Sequence, residues 1–510
     1  MMISRSFTWY LLSTFFSFLV KSVKNSAIVR GLLNFSDFLS RKATESKFYG
    51  WLGKDYAAGK YDHSLFYGIL ERIWQFVLNI VEKLQKFTKK IFDNSLSLWV
   101  FEALQKNGIL AIDTFLALFI GGMFVVPHEM WNNLYAFIAA LFFGAWTVMN
   151  MASGKLSGKS IKGVGIAIVI FTIAIVLGVL IAYDFSDAFR IALFMLASII
   201  ICYSVYASVD SRDKLVRFLS IVLTFVAIAA LMGVVQGIRG VEVDLEFVDV
   251  TANEGMPGRV YSTFANPNNF AELLILFLPF FAALFLSVKK VTSKIMVFLG
   301  FAAVVGALAM TYSRSCWVGF ALCTIIFVCL YDKRLIIPLI FIVIAAVPFL
   351  PETIMNRIFT IGSMEDSSNS YRLFIWESCL NMMRDYGITG IGLGPESFRT
   401  IYPGYASPVA ITAPHSHMLY MEIVIEMGIL GAIGFFAYIF GTVKKAAGAM
   451  RHMTKELKTF AIAGIAALGG IAFVCCAEYI WFYPRVMFAF WVVPGLLMAI
   501  TRIAKKAEWF

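Results

Sequence analysis

The chain has 510 residues, 60% of them hydrophobic and only 15% charged, and its mean hydropathy is +0.79. A water-soluble domain cannot hide that much apolar surface, so the composition excludes a soluble enzyme or binding module and points to a polytopic membrane protein. The net charge of +11 does not imply nucleic acid, because the basic residues sit between apolar runs rather than in one patch.

Residues 1–108 are unlike the rest. Trp9 to Val20 is apolar but too short to span a bilayer, and no small-residue cleavage site marks a signal peptide. Leu65 to Phe92 reads as an amphipathic helix, with Leu65, Ile69, Ile73, Phe76, Val77 and Ile80 at helical spacing. Glu71, Arg72, Gln75, Glu82, Lys83 and Lys86 fill its other face. Such a helix lies in the cytoplasmic interface or packs on a partner. No chemistry is expected of this N-terminal extension.

From residue 109 apolar runs follow in quick succession, near 109–126, 132–152, 163–183, 188–208, 217–238 and 269–288. The second half adds 295–312, 316–331, 335–350, 417–442, 459–479 and 486–502. The fold expected over 109–505 is therefore all-α, a transmembrane helical bundle of about twelve spans. Seven cysteines are present, mostly inside apolar runs, and their spacing resembles no zinc or disulfide framework.

Lysine sets the orientation. Lys155, Lys159, Lys162, Lys214, Lys289, Lys290, Lys294, Lys333 and the cluster from Lys444 to Lys458 fall in loops on one side, which places both termini in the cytoplasm. The opposite side carries Arg239, Arg259, Arg314, Arg357, Arg372, Arg384, Arg399 and Arg485, without a lysine. A guanidinium is a planar five-donor fork that grips phosphate bidentately and keeps its charge in a partly dry site. Loop salt bridges to Asp244, Glu246, Asp249, Glu365 and Asp366 are the bland reading. That reading fits Arg314 poorly, since Arg314 sits between two apolar runs.

Two outward loops are long. Residues 239–268 hold an acidic stretch from Glu242 to Asp249 and then Gly258 to Asn268. Residues 351–416 form the main extracytoplasmic loop, long enough to carry structure of its own. Within it Tyr371 to Asp385 reads as an amphipathic helix with Phe374, Ile375, Ser378, Cys379 and Met382 on one side. Arg372 is expected at its start, where helix-end amides could help hold an anion. Gly390-Ile-Gly-Leu-Gly394 lacks the spacing and strand–helix context of a nucleotide fingerprint. It reads instead as a turn that lets the backbone approach a neighbour.

The stretch from Thr412 to Gly431 places His415 and His417 where a polar segment meets a long apolar helix, and Pro414 biases the helix to begin near them. Glu422 and Glu426 lie four apart, on one face. Ionisable groups at the mouth of a membrane helix are functional candidates. A wetted helix entry is the bland alternative, and a metal held by the two histidines lacks a clear third ligand.

Thr263-Phe-Ala-Asn-Pro-Asn-Asn-Phe-Ala271, Thr311-Tyr-Ser-Arg-Ser-Cys-Trp317, Tyr371-Arg-Leu-Phe-Ile-Trp376, Gly390 to Phe398 and the 415–431 stretch occur in that order. Together they resemble the O-antigen ligase and polysaccharide polymerase superfamily, over roughly residues 109–505. The resemblance implies a lipid-linked glycosyltransferase of the bacterial cytoplasmic membrane, acting in lipopolysaccharide or exopolysaccharide synthesis. It implies a glycan moved from an undecaprenyl diphosphate carrier to an acceptor hydroxyl on the outer face, without cofactor, nucleotide sugar or metal. Carried over by motif, Arg314 and Arg372 are the diphosphate clamps and His417 is the base. Arg259, His415, Glu422, Glu426, Asn266 and Asn268 are substrate-binding candidates. Met418 stands where the family usually has a polar residue, which leaves open whether His415-Ser416 takes part of the role, and Gly428 and Gly431 match the following glycines.

Ligase and polymerase share these motifs. A transporter would instead show inverted repeats and charges at mid-span, and a glycan-binding scaffold would share the arginines and aromatics but lack turnover.

Overall fold

The structure, a computed structural model, describes residues 65–106, 112–131, 133–154, 165–243, 257–362 and 367–507. Trp9 to Val20, the lysines from Lys155 to Lys162, and the acidic residues Asp244, Glu246, Asp249, Glu365 and Asp366 lie outside these residues. The described chain is helical, with no β-strand among the described residues.

The N-terminal helices are α1 (Leu65–Phe92) and α2 (Leu96–Lys106), followed by α3 (Ile112–Val125), α4 (Asn133–Ala152), α5 (Ile166–Leu180), α6 (Phe185–Ser208) and α7 (Arg212–Arg239). Then come α8 (Pro267–Ser287), α9 (Val291–Met310), α10 (Arg314–Asp332) and α11 (Ile336–Ala346). The long loop between α11 and the next long apolar helix contains α12 (Glu352–Phe359), α13 (Ser367–Tyr386) and α14 (Pro395–Ile401). The chain closes with α15 (Leu419–Ala449), α16 (Lys455–Val474) and α17 (Pro484–Ala507).

Each of the twelve apolar runs contains a helix, but eight helices are long and apolar enough to cross a membrane, or nine if the broken run from Arg314 to Phe359 counts as one. The expected dozen is not reached among the described residues. Among the described residues the segments that fall short are α3, α5 and the α10–α11 region. Helix starts follow local chemistry. Asp184 accepts from the Asp187 N–H at the head of α6, and Asn266 accepts from the Asn268 N–H at the head of α8.

The described residues fall into two units, one of residues 328–350 and one of the remainder. In the smaller unit the described part is the end of α10, α11 and a short turn, with Ile340 to Ile344 all exposed. The larger unit holds the core and everything discussed below. There α17 packs against α6, α15 and α16, α7 against α3 and α9, α8 against α16, and α5 against α15. In lipid such contacts are held by close packing rather than by water exclusion, and the aromatic cluster of Phe435, Trp481 and Trp491 shows it, with ring centroids 5.2–5.9 Å apart.

One arginine of the lysine-free loops is structural. Arg485 donates to the carbonyls of Val126 and Thr263, each at 2.8 Å, and lies over the Phe264 ring. It ties the end of α3, the 263 loop and α17 together. Arg384 and Arg399 bond locally to Asn381 and Glu396. The long loop that carries α13 and α14 has its own small core of Ile375, Cys379, Met382, Phe398 and Tyr402. Phe374, expected on that apolar face, is exposed instead.

Candidate active site

The site begins with a broken helix. Within α15, Gly428 has φ 63° and ψ −171°, a conformation essentially restricted to glycine. A break inside lipid would strand backbone carbonyls. Here the glycine turn supplies the donors: the Ile391 N–H reaches Ile425 O at 2.8 Å and the Gly392 N–H reaches Glu426 O at 3.2 Å. The approach leaves no room for side chains, since a Cβ on Gly428 would lie 2.3 Å from Ile388 O and one on Gly392 2.3 Å from Ala182 Cα. The turn is thus a backbone clasp on the helix break, in keeping with the close approach its alternating glycines suggest.

Glu426 completes the clasp. Its carboxylate accepts from the Gly394 N–H at 3.0 Å and the Tyr479 hydroxyl at 3.3 Å. Glu422 sits one turn nearer the histidines and accepts from the Ser416 N–H at 2.7 Å. Both carboxylates line a cavity of about 200 Å³ that shares Pro414, His415, Tyr479 and Phe482 with a larger one. Spacing put both on one face, and that face meets neighbouring backbone as well as the smaller cavity beside His415.

The turn from His415 to Met418 is tightly determined. Trp376 Nε1–H donates to Ser416 O at 3.1 Å, and the Leu419 N–H donates to the Cys475 and Glu478 carbonyls. The Ser416 hydroxyl accepts from the Met418 N–H at 3.3 Å and donates to Met418 O at 3.0 Å. His417 itself has φ 54°, an uncommon left-handed conformation for a residue with a Cβ, of the kind that persists only when surroundings enforce it.

The two histidines are not equivalent. The His417 N–H donates to His415 Nδ1 at 3.1 Å, so a neutral His415 carries its proton on Nε2 and presents a donor there. His415 is buried beside the rings of Tyr479 and Phe482. His417 Nδ1 is buried without a hydrogen-bond partner, 4.2 Å ring-to-ring from His415. Burial, then the Arg372 charge, pushes His415 down to about 3. Burial, then His415 and Arg372, pushes His417 down to about 2. Both imidazoles are neutral at physiological pH.

Both face a cavity of about 1260 Å³. Four arginines line it: Arg259, Arg314, Arg357 and Arg372, against two lining carboxylates among the described residues, Glu272 and Glu478. Carbonyl oxygens fix the direction of three guanidinium groups. Arg259 Nε–H donates to Thr311 O at 2.8 Å, Arg314 Nη1–H to Thr360 O at 2.9 Å, and Arg357 Nε–H to Tyr312 O at 3.4 Å. Arg372 pairs with Glu478 at 2.7 Å, and Asn268 donates to the same oxygen at 3.2 Å. Burial, then the neighbouring Arg357 charge, lowers Arg259 to about 9. Desolvated like charges held together in this way favour a bound polyanion.

Of the residues singled out by sequence, Arg259, Asn266, Asn268, Arg314, Arg372, His415 and His417 converge on this cavity. Arg372 is not at a helix start, because α13 begins at Ser367 and places it in the second turn. Its anion-binding capacity rests on the guanidinium, not on helix-end amides. Arg357 and Glu478 were missed as site residues. Arg357 stood among the outward arginines without a motif, and Glu478 closes an apolar run, the position that marked the histidines.

Residues 297–436 match a family model described as O-Antigen ligase. The match supports membership of the O-antigen ligase superfamily. The match runs from α9 into α15 and contains Arg314, Arg357, Arg372, both histidines and the Gly428 break. In this O-antigen ligase-type chain, Arg259 and Glu478 come from flanking segments and complete the same cavity. No curated protein sequence matches the chain.

Proposed function

We propose that this membrane glycan transferase takes an oligo- or polysaccharide from a polyprenyl diphosphate carrier on the outer face of the bacterial cytoplasmic membrane and joins it to an acceptor hydroxyl, as ligase or polymerase. The observation that carries the reading is a neutral His417 imidazole lining a cavity that four arginines also line.

In the reacting complex the acceptor O–H gives its proton to His417 as its oxygen attacks the anomeric carbon. The bond between that carbon and the phosphate oxygen breaks, and its electron pair leaves on the diphosphate. Charge therefore grows on phosphate oxygens, where fixed guanidinium donors in a low-dielectric cavity stabilise it best. The proton transfer is worth about 10²- to 10⁴-fold. His415, with its proton on Nε2, is suited to donate to substrate, and a direct displacement inverts the anomeric centre.

The test is purified protein in detergent with a polyprenyl-diphosphate glycan, candidate acceptors and EDTA. The proposal expects glycan on the acceptor and free polyprenyl diphosphate in equal amounts, with the chelator without effect. Release of polyprenyl monophosphate, or donor binding without turnover for every acceptor, would overturn it.

A further inference from the structure

Helix α1 presents an apolar stripe to the outside rather than to the protein. Trp74 and Leu78 are buried and α1 packs on α4, yet Ile69, Ile73, Phe76, Ile80, Leu84, Phe87 and Ile91 are all exposed, Phe76 by 65% and Phe87 by 61%. The sequence pattern showed a helix with an apolar side but not that this side is left exposed by the described residues. A 28-residue helix at about 1.5 Å per residue is about 42 Å long, and its charges keep it off the set of membrane-crossing helices.

The stripe recurs at steps of four, three, four, four, three and four, an eleven-residue repeat from Ile69 to Ile80 to Ile91. Eleven residues at about 100° each close three turns to within about 20°. The stripe therefore stays on one side of a nearly straight helix, which suits a flat surface.

The charges are sorted around it. By the same rotation Arg72, Lys83 and Lys90 lie along the edge of the stripe that faces away from α4, about 60–80° from its centre, whereas Glu71 and Glu82 lie about 160–180° away. Basic side chains at the edge of an apolar stripe can extend their stems over it and place their charges among headgroups. The next helix continues the theme, exposing Leu96, Trp99 and Val100 at i, i+3 and i+4, and tryptophan favours the membrane–water interface.

We infer that α1 is an in-plane membrane-surface helix, seated on an anionic leaflet with Ile69 to Ile91 in the acyl boundary and Arg72, Lys83 and Lys90 at the phosphates. Acidic groups on the remote side leave the contacting edge cationic, which favours anionic lipid over a zwitterionic surface.

The full-length protein tests this with a spin label at Phe76→Cys or Phe87→Cys, after the exposed Cys329 and Cys476 are changed to Ser. In vesicles containing about a quarter phosphatidylglycerol, the label should collide with dissolved oxygen more than with a water-soluble nickel chelate. The ratio should shift toward the chelate in pure phosphatidylcholine, and likewise in the Arg72→Gln, Lys83→Gln, Lys90→Gln triple variant. Lys89→Gln, on the remote side, should leave it unchanged. Equal chelate access in all vesicles would overturn the inference. So would spectral broadening that disappears on dilution with unlabelled protein, which would put a second copy on the stripe, or shielding from both reagents, which would put another segment of the chain there.

Discussion

Glu478→Gln separates charge from position at the heart of the cavity. Glu478 holds Arg372 at 2.7 Å, with the two side chains only 11% and 17% exposed, so water screens the pair little. Unit charges about 4 Å apart attract by about 4 kcal/mol at an effective dielectric near 20. A diphosphate arriving at Arg372 replaces this partner and recovers most of that energy, leaving a competition of about 1–2 kcal/mol, or roughly five- to thirtyfold in affinity. Glutamine keeps an oxygen that can accept from Arg372 and Asn268, so Arg372 stays in place. Donor KM should therefore fall about five- to thirtyfold while kcat changes little. Glu478→Ala loses the oxygen as well and should lower kcat. Steady-state kinetics with the lipid-linked donor reads both. If Glu478→Gln loses kcat as fully as Glu478→Ala, the carboxylate charge itself takes part in turnover and the competition argument is wrong.

Three further outcomes follow from the geometry. His415→Gln, able to keep an acceptor for the His417 N–H, should retain more activity than His415→Ala, whereas His417→Gln should lose about 10²- to 10⁴-fold in kcat; transfer rates of the three variants check this. Gly428→Ala places a Cβ 2.3 Å from Ile388 O in a conformation that costs about 1–3 kcal/mol for other residues, and should lower the thermal midpoint in detergent clearly, with Gly441→Ala, which meets nothing within 4 Å, as the neutral control. Because both histidines titrate far below their unfolded value near 6.5, their effect is absent above pH 6.5 and erodes stability as pH falls from there toward 3. At pH 5 each should cost on the order of 2 kcal/mol, read as a drop in midpoint between pH 7.5 and 5 that His415→Gln or His417→Gln partly removes.

Much of the fold was legible because apolar length and helicity are coupled in a membrane: all twelve runs hold helices. Their ability to span was less legible. The run at α5 is apolar but forms a helix of 15 residues, and the break at Gly428 hides in a run whose hydropathy is continuous. For the site, motif and side of the membrane brought Arg314, Arg372 and His417 to one cavity. Periodicity gave Glu422 and Glu426 a shared face but not its neighbour, which only the glycine clasp and Ser416 reveal. Arg357 and Glu478 escaped because each acts through a partner from a distant segment, Tyr312 and Arg372.

The most direct measurement pairs donor binding with single-turnover transfer in wild type, His417→Ala, His415→Ala and Arg314→Ala. The account predicts that His417→Ala binds the polyprenyl-diphosphate glycan as tightly as wild type yet fails to transfer it, while Arg314→Ala loses binding. Transfer at the wild-type rate by His417→Ala, with His415→Ala alone inactive, would contradict it and move the base to the other histidine.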